Sequence, residues 1–585
     1  MELEKQPLFA AAVRETWRAG YGLAQLRADI LAGITVGVVA IPLAMALAIA
    51  VGAPPQHGLY TAIVAGIVIA VSGGSRYNIS GPTAAFVVIL LPITQHHGMG
   101  GLLIATILAG FMLLFMGLAR MGQFIEFIPY PVTSGFTAGI GVVIATLQIK
   151  DFFGLDTGVL DGHYVHKLGV LLHAIPTSHA PDVAIGMFTL AVLLLWPRLR
   201  IPIPAPLPAL FFAALAAWLG HLWLADFTPI TIGARFSYEI NGQIGHGIPP
   251  LPPHFLWPWQ LPDANGNPVG LSFDLIRTLL GSAFAIAMLG AIESLLCAVV
   301  SDGMTGTRHN PNAELVGQGL GNIIAPFFGG ISATAAIART ATNIRAGAVS
   351  PVSAVVHALL VLAVILSLGP WLSYVPMAAL AALLLVVAWN MSELPHFLRL
   401  IKISPANDVA VLLACFSLTV LFDMVVAVIA GLVLAAMLFI RRMVELTGVS
   451  MLDRHEHPHL ANLPEHIAIY DINGPLFFGA AEKAIRILRV TDQRVRVVIL
   501  DMADVSMMDI TAILALASIL KQLNESQMLV IINALDAKLI LRLRKAGIRR
   551  RQGQLLFSRN LEEAVARIAQ AERVAQQGER DHGPA

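Results

Sequence analysis

The sequence predicts a polytopic α-helical membrane protein of about fourteen spans, arranged as two inverted seven-span repeats and followed by a small cytosolic α/β domain. Three observations carry that fold class. The runs Ile30–Ser75 and Tyr77–Ala119 hold no charged residue and are too long and apolar for a soluble core. Of the 585 residues, 57% are hydrophobic and only 12% charged, which no ordinary globular chain shows. From about His466 the pattern changes, and strand-like runs alternate with helical ones.

Arg14, Arg18 and Arg27 precede the first apolar segment, which lacks a small-residue cleavage site and is expected to remain as a span. Breaks at Pro, Gly and polar clusters place spans near 31–51, 58–74, 81–95, 101–119, 131–149, 183–197, 206–224, 279–301, 313–329, 331–345, 350–369, 375–391, 406–423 and 424–440. Loop charge checks the count. With a cytosolic N-terminus, Arg76, Arg120, Arg198, Arg200, Arg308, Arg345, Arg399, Lys402, Arg441 and Arg442 fall on inner loops. The longer outer loops carry Asp151, Asp156, Asp161, Asp182, Asp226, Glu239 and Asp263, beside Lys150, Lys167 and Arg235. The bias alternates through the series, so both termini are expected in the cytosol. A net charge of +1 gives no case for nucleic acid. Cys297 and Cys415 lie in apolar stretches and read as packed small side chains rather than a disulfide or a metal site.

The domain organisation follows. Residues 1–449 form the membrane domain, with repeats at about 29–224 and 279–446, then a linker at 450–464. Residues 465–571 form the α/β domain, and 572–585 a disordered tail. Its strands are expected at Ile467–Ile472, Val497–Leu500 and Met528–Ile532. Its helices are expected at Ala480–Arg489, Ile510–Leu523, Ala537–Ala546 and Leu561–Ala571. His455, His457 and His459 alternate in the linker; metal binding is one reading and a solvated hinge the other, and no Cys or acidic pair completes a ligand set.

Two spans are too short to cross alone. Ser80-Gly81-Pro82-Thr83 opens the third and Pro92 interrupts it, while the tenth follows Gly329-Gly330 and carries Arg339. Thr83-Ala84-Ala85-Phe86 resembles Thr334-Ala335-Ala336-Ile337, and positions three and ten correspond in two copies of seven spans. An odd repeat unit inverts the second copy. Broken helices in such folds meet at the midplane and offer N–H groups and positive dipole ends to an anion. The bland alternative is two helices kinked by Gly and Pro.

Arg339 adds a full positive charge; an inner-end anchor is its other reading, but Arg345 already fills that place. Glu293 is the only charge between Arg277 and Asp302. A mid-span carboxylate costs about 2.5–3.5 kcal/mol on insertion scales, so Glu293 is expected to face an aqueous cavity and to exchange the coupling proton. An ion pair with Arg339 is the alternative, and the two roles are compatible. Gln318 and Asn322, one turn apart, read as bonds between neighbouring helices. Asn312 and Glu314 read as helix capping, His96-His97 as an outer-loop pair, and Asp423 as a solvated turn.

These residues resemble the SulP (sulfate permease) family of anion transporters over nearly the whole chain. The membrane part carries the likeness in Ala32–Gly37, Ile79–Thr83, Asp302–Thr307 and Glu314–Asn322. The tail resembles that family's STAS domain through Gly474–Phe478 and Asp501 with Met508-Asp509. Within the family, Ala40–Leu47 and Glu293–Val300 look most like the enterobacterial C4-dicarboxylate transporters. The resemblance implies a core domain moving against a gate domain, frequent homodimers, and a site lined by spans one, three, eight and ten. On this chain the substrate-binding positions are then Thr83, Ala84, Ala85, Ala336, Ala338 and Arg339, with Glu293 for the proton. Two departures stand out. Leu43 and Ala338 occupy positions where many sulfate and chloride relatives carry Gln and Ser, which removes polar contacts. Ile510 follows Asp509, so the phosphorylated Ser or Thr of related anti-sigma-factor antagonists has no equivalent at that position.

The expected function is therefore proton-coupled uptake of C4-dicarboxylates such as succinate, fumarate and aspartate across a bacterial inner membrane. Bicarbonate or sulfate transport, coupled to sodium or protons, is the alternative within the family. An anion channel or a membrane sensor acting through the STAS domain is the alternative from another class. No cofactor is expected, no enzymatic constellation stands out, and a regulatory partner is expected at the cytosolic domain.

Overall fold

The computed structural model describes residues 7–125, 129–158, 160, 162–199, 201, 203–224, 226–240, 242–422, 424–446, 448–452, 463–477 and 494–570. Asp161, Arg200, Asp423, the three linker histidines, the helical run 480–489 and the tail 572–585 lie outside them. The chain divides into two compact units, Met1–Ala435 and Ala436–Ala585.

Each expected span coincides with helix. Spans 1 and 2 are Leu23–Ala50 and Pro55–Ser72. Spans 3 and 4 run through Ala84–Leu118, broken where Gly98 takes φ 63°, a left-handed conformation that glycine adopts without a Cβ clash. His96 and His97 occupy the last helical turn before that break, not a loop. Spans 5, 6 and 7 are Tyr130–Phe153, Ala180–Leu195 and Pro206–Trp223. The second half holds span 8 (Phe273–Thr305), span 9 (Pro311–Ile324), span 10 (Ile337–Arg345) and span 11 (Val352–Leu372). Spans 12, 13 and 14 are Met377–Ser392, Ala406–Leu421 and Met424–Leu446. Among the described residues, ten helical stretches are long and apolar enough to cross a bilayer. Span 10, with nine residues, is not one of them. At about 1.5 Å per residue it reaches less than half of a ~30 Å hydrocarbon core.

The packing has the reciprocity that a repeat demands. Span 4 packs on spans 8 and 9, and span 11 packs on spans 1 and 2. Span 5 packs on span 13 as span 12 packs on span 6, and spans 5 and 12 pack on each other. Each contact has its partner when seven is added to or subtracted from the span number. Small residues permit the closest of these approaches: a Cβ on Gly319 of span 9 would stand 2.6 Å from the Leu114 nitrogen of span 4. Spans 6, 7 and 14 bury least and expose Phe188, Phe211, Trp218 and Phe439, the apolar face that lipid covers.

Four short strands belong to the membrane unit. β1 (Ser80–Gly81) and β4 (Thr334–Ala335) pair antiparallel, Ser80 opposite Ala335 and Gly81 opposite Thr334. β2 (Ser237–Ile240) and β3 (Gln243–His246) form a hairpin between spans 7 and 8.

The second unit is a five-stranded sheet in the order β5-β6-β7-β8-β9. β6 (Ile467–Asn473), β7 (Val497–Asp501) and β8 (Leu529–Asn533) fall where the apolar runs place them. They are parallel and buried on both faces. Ala468, Tyr470, Val498, Leu500 and Ile532 pack toward the helix Ile510–Glu525, and Ile469, Ile499 and Ile531 pack with Ala564 and Ile568. β9 (Leu555–Ser558) extends the parallel set, and β5 (Gly448–Met451) pairs antiparallel with β6. The sheet thus begins at Gly448, in residues the sequence reading divides between the last span and the linker. Asp509, rather than Thr511, caps the helix, its Oδ1 accepting from Ala512 N at 2.7 Å.

Candidate anion site

The site is built on the β1–β4 ribbon. Because the strands are antiparallel, the helices that follow them leave in opposite directions. Thr83 is the N-cap of the 3-10 turn Ala84–Phe86 that leads into span 3, and Ala336 is the N-cap of span 10. Neither terminus receives a side-chain cap, so its first N–H groups stay available to a ligand.

Arg339 crosses the ribbon. It is 3% exposed, and its Nη2 donates to the Pro82 carbonyl, a short contact with the opposite half of the repeat. Its Nε and Nη1 are buried and meet no acceptor. A buried guanidinium with two unspent donors is a strong positive field held beside two helix N-termini. Both atoms are shut off from solvent here, so the charge is felt at the helix ends through the Gly81–Pro82 backbone rather than by direct contact. Gly81 makes that arrangement possible, since a Cβ there would stand 2.7 Å from Nη1 and 3.7 Å from Cζ of Arg339. Gly81→Ala is expected to push the guanidinium aside and lower anion uptake about tenfold. Because the atom in the way ends a flexible side chain, thermal unfolding should stay within a few degrees of wild type, and the two measurements together check the point.

Glu293 approaches from span 8. Its side chain is half-buried, and Thr83 Oγ1 donates to its Oε2 at 3.0 Å. The backbone around it is held on both sides. Thr334 Oγ1 donates to Gly290 O at 3.0 Å, and Asn78 Nδ2 donates to Ser294 O at 3.3 Å. Glu293 and Arg339 form no ion pair within 4.0 Å, so a direct structural pair is not what keeps either residue in place.

Of the sequence-chosen side chains, Thr83 bonds Glu293, and Arg339 bonds the carbonyl of Pro82, the residue next to Thr83. Of the chosen alanines, Ala84 and Ala85 are buried, Ala336 is half-buried and Ala338 is exposed on span 10. No group of three His, Cys, Asp or Glu side chains converges among the described residues. An apolar cleft of about 90 Å³ lies between spans 3, 8 and 14, with Ile89, Met288, Ile292 and Ile429 in its wall. It offers an anion nothing polar, but Ile292 places it directly beside Glu293.

Sequence reasoning misassigned one set of residues. Asn310 caps span 9, accepting from Asn312 N and Ala313 N. Asn312 instead accepts from Gly122 N, and Glu314 is 1% exposed and reaches across to the loop before β1. The spacing 314, 318, 322 is the signal that could have found the group, since it puts three polar side chains on one helix face.

The profile of the sulfate permease family matches residues 26–415, and that of the STAS domain matches residues 460–564. The chain belongs to the sulfate permease family. It is an anion transporter with multiple membrane spans and not an enzyme. YvdB of Bacillus subtilis (strain 168), which its name assigns provisionally to sulfate transport, is 40% identical over 92% of this chain and 97% of its own length. The bicarbonate transporter BicA of a Picosynechococcus strain is 30% identical over 85% of this chain and 86% of its own. The fold matches murine solute carrier 26 family member A9, an anion transporter in the inward-facing state, with a TM-score of 0.81. That match covers 96% of this chain and 94% of the other at 18% identity, and it bears on fold alone. For a member of the sulfate permease family these relatives correct one expectation: the names point to sulfate and bicarbonate, not to C4-dicarboxylates.

Proposed function

We propose that the protein is a secondary transporter that moves sulfate, or a similar small inorganic oxyanion, together with a proton. The observation that carries this is the pairing of one exchangeable carboxyl group with one fixed cation at two facing helix N-termini. Glu293 is bonded to Thr83 at the start of span 3, and Arg339 lies buried at the start of span 10. An anion docking there meets the N–H groups near Ala84, Ala85 and Ala338 and the field of Arg339, whereas the Ala336 N–H already bonds the Ile79 carbonyl. A proton on Glu293 removes the like-charge repulsion that a carboxylate would exert on it. Rocking of the half-spans and their core against spans 5–7 and 12–14 then alternates access.

The names of the relatives support an inorganic oxyanion in place of the dicarboxylate. Proton coupling favours sulfate, because bicarbonate plus a proton is carbonic acid, which yields carbon dioxide and crosses a bilayer unaided. Sodium-coupled bicarbonate transport is the second reading, favoured by the 30% identity to BicA. The loop charges support cytosolic termini, and the bacterial relatives support an inner-membrane setting. A homodimer and a regulatory partner at the STAS domain rest on the family alone.

Labelled sulfate offered to proteoliposomes under an inward proton gradient tests the reading. Expected is accumulation that a protonophore abolishes and excess succinate leaves intact. Sodium-dependent uptake of labelled bicarbonate without sulfate uptake would move bicarbonate to the front. Uptake of succinate alone would restore the dicarboxylate.

A further inference from the structure

We infer that Glu314, Gln318 and Asn322 form a positioning spine along span 9 that sets both half-spans of the anion site. The inference rests on the reading that the β1–β4 ribbon presents the anion-binding helix ends. The three residues recur every four positions, so they share one face of span 9 and extend about 12 Å along it. All three are 1% exposed.

At one end, Glu314 accepts four hydrogen bonds. Oε2 takes the N–H groups of Gly74 and Ser75, each at 3.0 Å, and Oε1 takes Asn78 Nδ2 at 2.9 Å and Gln318 Nε2 at 3.1 Å. Four donors and no acceptor converge, an environment that only a carboxylate's two oxygens meet. No cation lies within 4.0 Å of it among the described residues. This carboxylate fixes which way two side-chain amides face. With its NH₂ group turned toward Glu314, Asn78 also donates to Ser294 O, next to Glu293. In the same way Gln318 donates to Ser80 Oγ, in β1. The price of both orientations is visible, for Asn78 Oδ1 and Gln318 Oε1 are buried without a partner.

At the other end, Asn322 holds the approach to β4. Its Oδ1 accepts from Ala333 N and its Nδ2 donates to Ala333 O, both at 2.8 Å, as an extra strand would. Nδ2 also donates to Gln318 O at 2.8 Å, which joins the two ends. One helix face thus grips β1 through Gln318, Ala333 at the entry to β4 through Asn322, and the Glu293 turn through Asn78. Glu314 needs no contact with the anion to matter. It is a positioning residue.

Glu314→Gln is the discriminating variant, because it preserves volume and replaces one acceptor with a donor. The new NH₂ can be met only if Asn78 or Gln318 flips; a flip of Asn78 breaks the bond to Ser294 O, and a flip of Gln318 makes Ser80 Oγ turn from acceptor to donor. Gln318→Met is the second variant, cutting the link to Ser80 and removing one of the four donors to Glu314 while leaving the carboxylate itself in place. Full-length protein in nanodiscs is followed by hydrogen exchange at residues 79–83 and 333–338, a readout independent of any substrate. Initial rates of labelled sulfate uptake are measured alongside, with Arg339→Gln as reference. Expected is faster exchange in both segments for at least one variant that folds. In that variant KM should rise about tenfold, with the maximal rate within about twofold. Unchanged exchange in both variants overturns the spine, whatever uptake does. Faster exchange with unchanged KM overturns the positioning role if Arg339→Gln abolishes uptake. If Arg339→Gln also leaves uptake unchanged, it is the anion-site reading that fails.

Discussion

Arg339→Gln is expected to lower sulfate uptake at sub-saturating concentration about a hundredfold. Glutamine keeps a polar head, but its NH₂ ends about where Nε lies, so the variant removes the charge together with the bond from Nη2 to the Pro82 carbonyl. A unit charge about 6 Å from an anion at an effective dielectric constant of about 20 is worth roughly 2.8 kcal/mol, which is the origin of the estimate. The spared donors Nε and Nη1 show that the protein itself does not use up the guanidinium. Initial rates in proteoliposomes, read beside the thermal midpoint of the same preparation, provide the check. Uptake within threefold of wild type in a folded variant would mean that the buried charge serves packing alone. Lysine is not a conservative replacement here, because a single ammonium cannot reproduce a planar fork lying across Gly81.

Glu293→Gln is expected to uncouple the protein rather than unfold it. Its side-chain oxygen can still accept from Thr83 Oγ1, but the group no longer gains or loses a proton. Accumulation driven by an inward proton gradient should collapse to equilibration, while sulfate–sulfate counterflow persists. The sign of the pH effect follows from proton symport. In wild type the initial rate rises as external pH falls, because the proton is a co-substrate; in the variant the rate is flat. Counterflow with no accumulation, measured in the same vesicles, is the decisive pattern. If accumulation and its pH dependence survive, the coupling proton is carried elsewhere.

How much of this was legible in the sequence depends on what each residue costs locally. Glu293 and Arg339 stand out because a charge in a long apolar run is expensive anywhere in that run, and the expense needs no knowledge of neighbours. Span 3 and span 10 stand out for a related reason: Ser80-Gly81-Pro82 and Gly329-Gly330 interrupt helices that are already too short. The strands β6, β7 and β8 are apolar on both faces and reveal themselves as continuous runs. β5 and β9 have four residues each and no such signature, so the beginning and end of the sheet were missed.

Glu314 is the instructive failure. An acidic residue in the first turn of a helix behind Asn310 and Pro311 looks like dipole compensation, and local sequence favours that reading. Its partners Gly74 and Ser75 lie 240 and 239 residues away, and no periodicity records them. Gln318 likewise looks like generic glue between helices until Ser80, 238 residues distant, is seen to take its proton.

The amino-acid sequence by itself determined the placement of the spans, the two half-spans and the α/β tail, and it singled out Thr83, Glu293 and Arg339. Each of these is a matter of transfer free energy, which is nearly additive along the chain and needs no partner. Only the tertiary structure decided that Arg339 lies across Gly81, that Thr83 bonds Glu293, and that one face of span 9 grips β1 and the residue leading into β4. Those outcomes depend on hydrogen bonds, which are short-ranged and directional. They exist only once residues separated by more than two hundred positions have been packed to within about 3 Å.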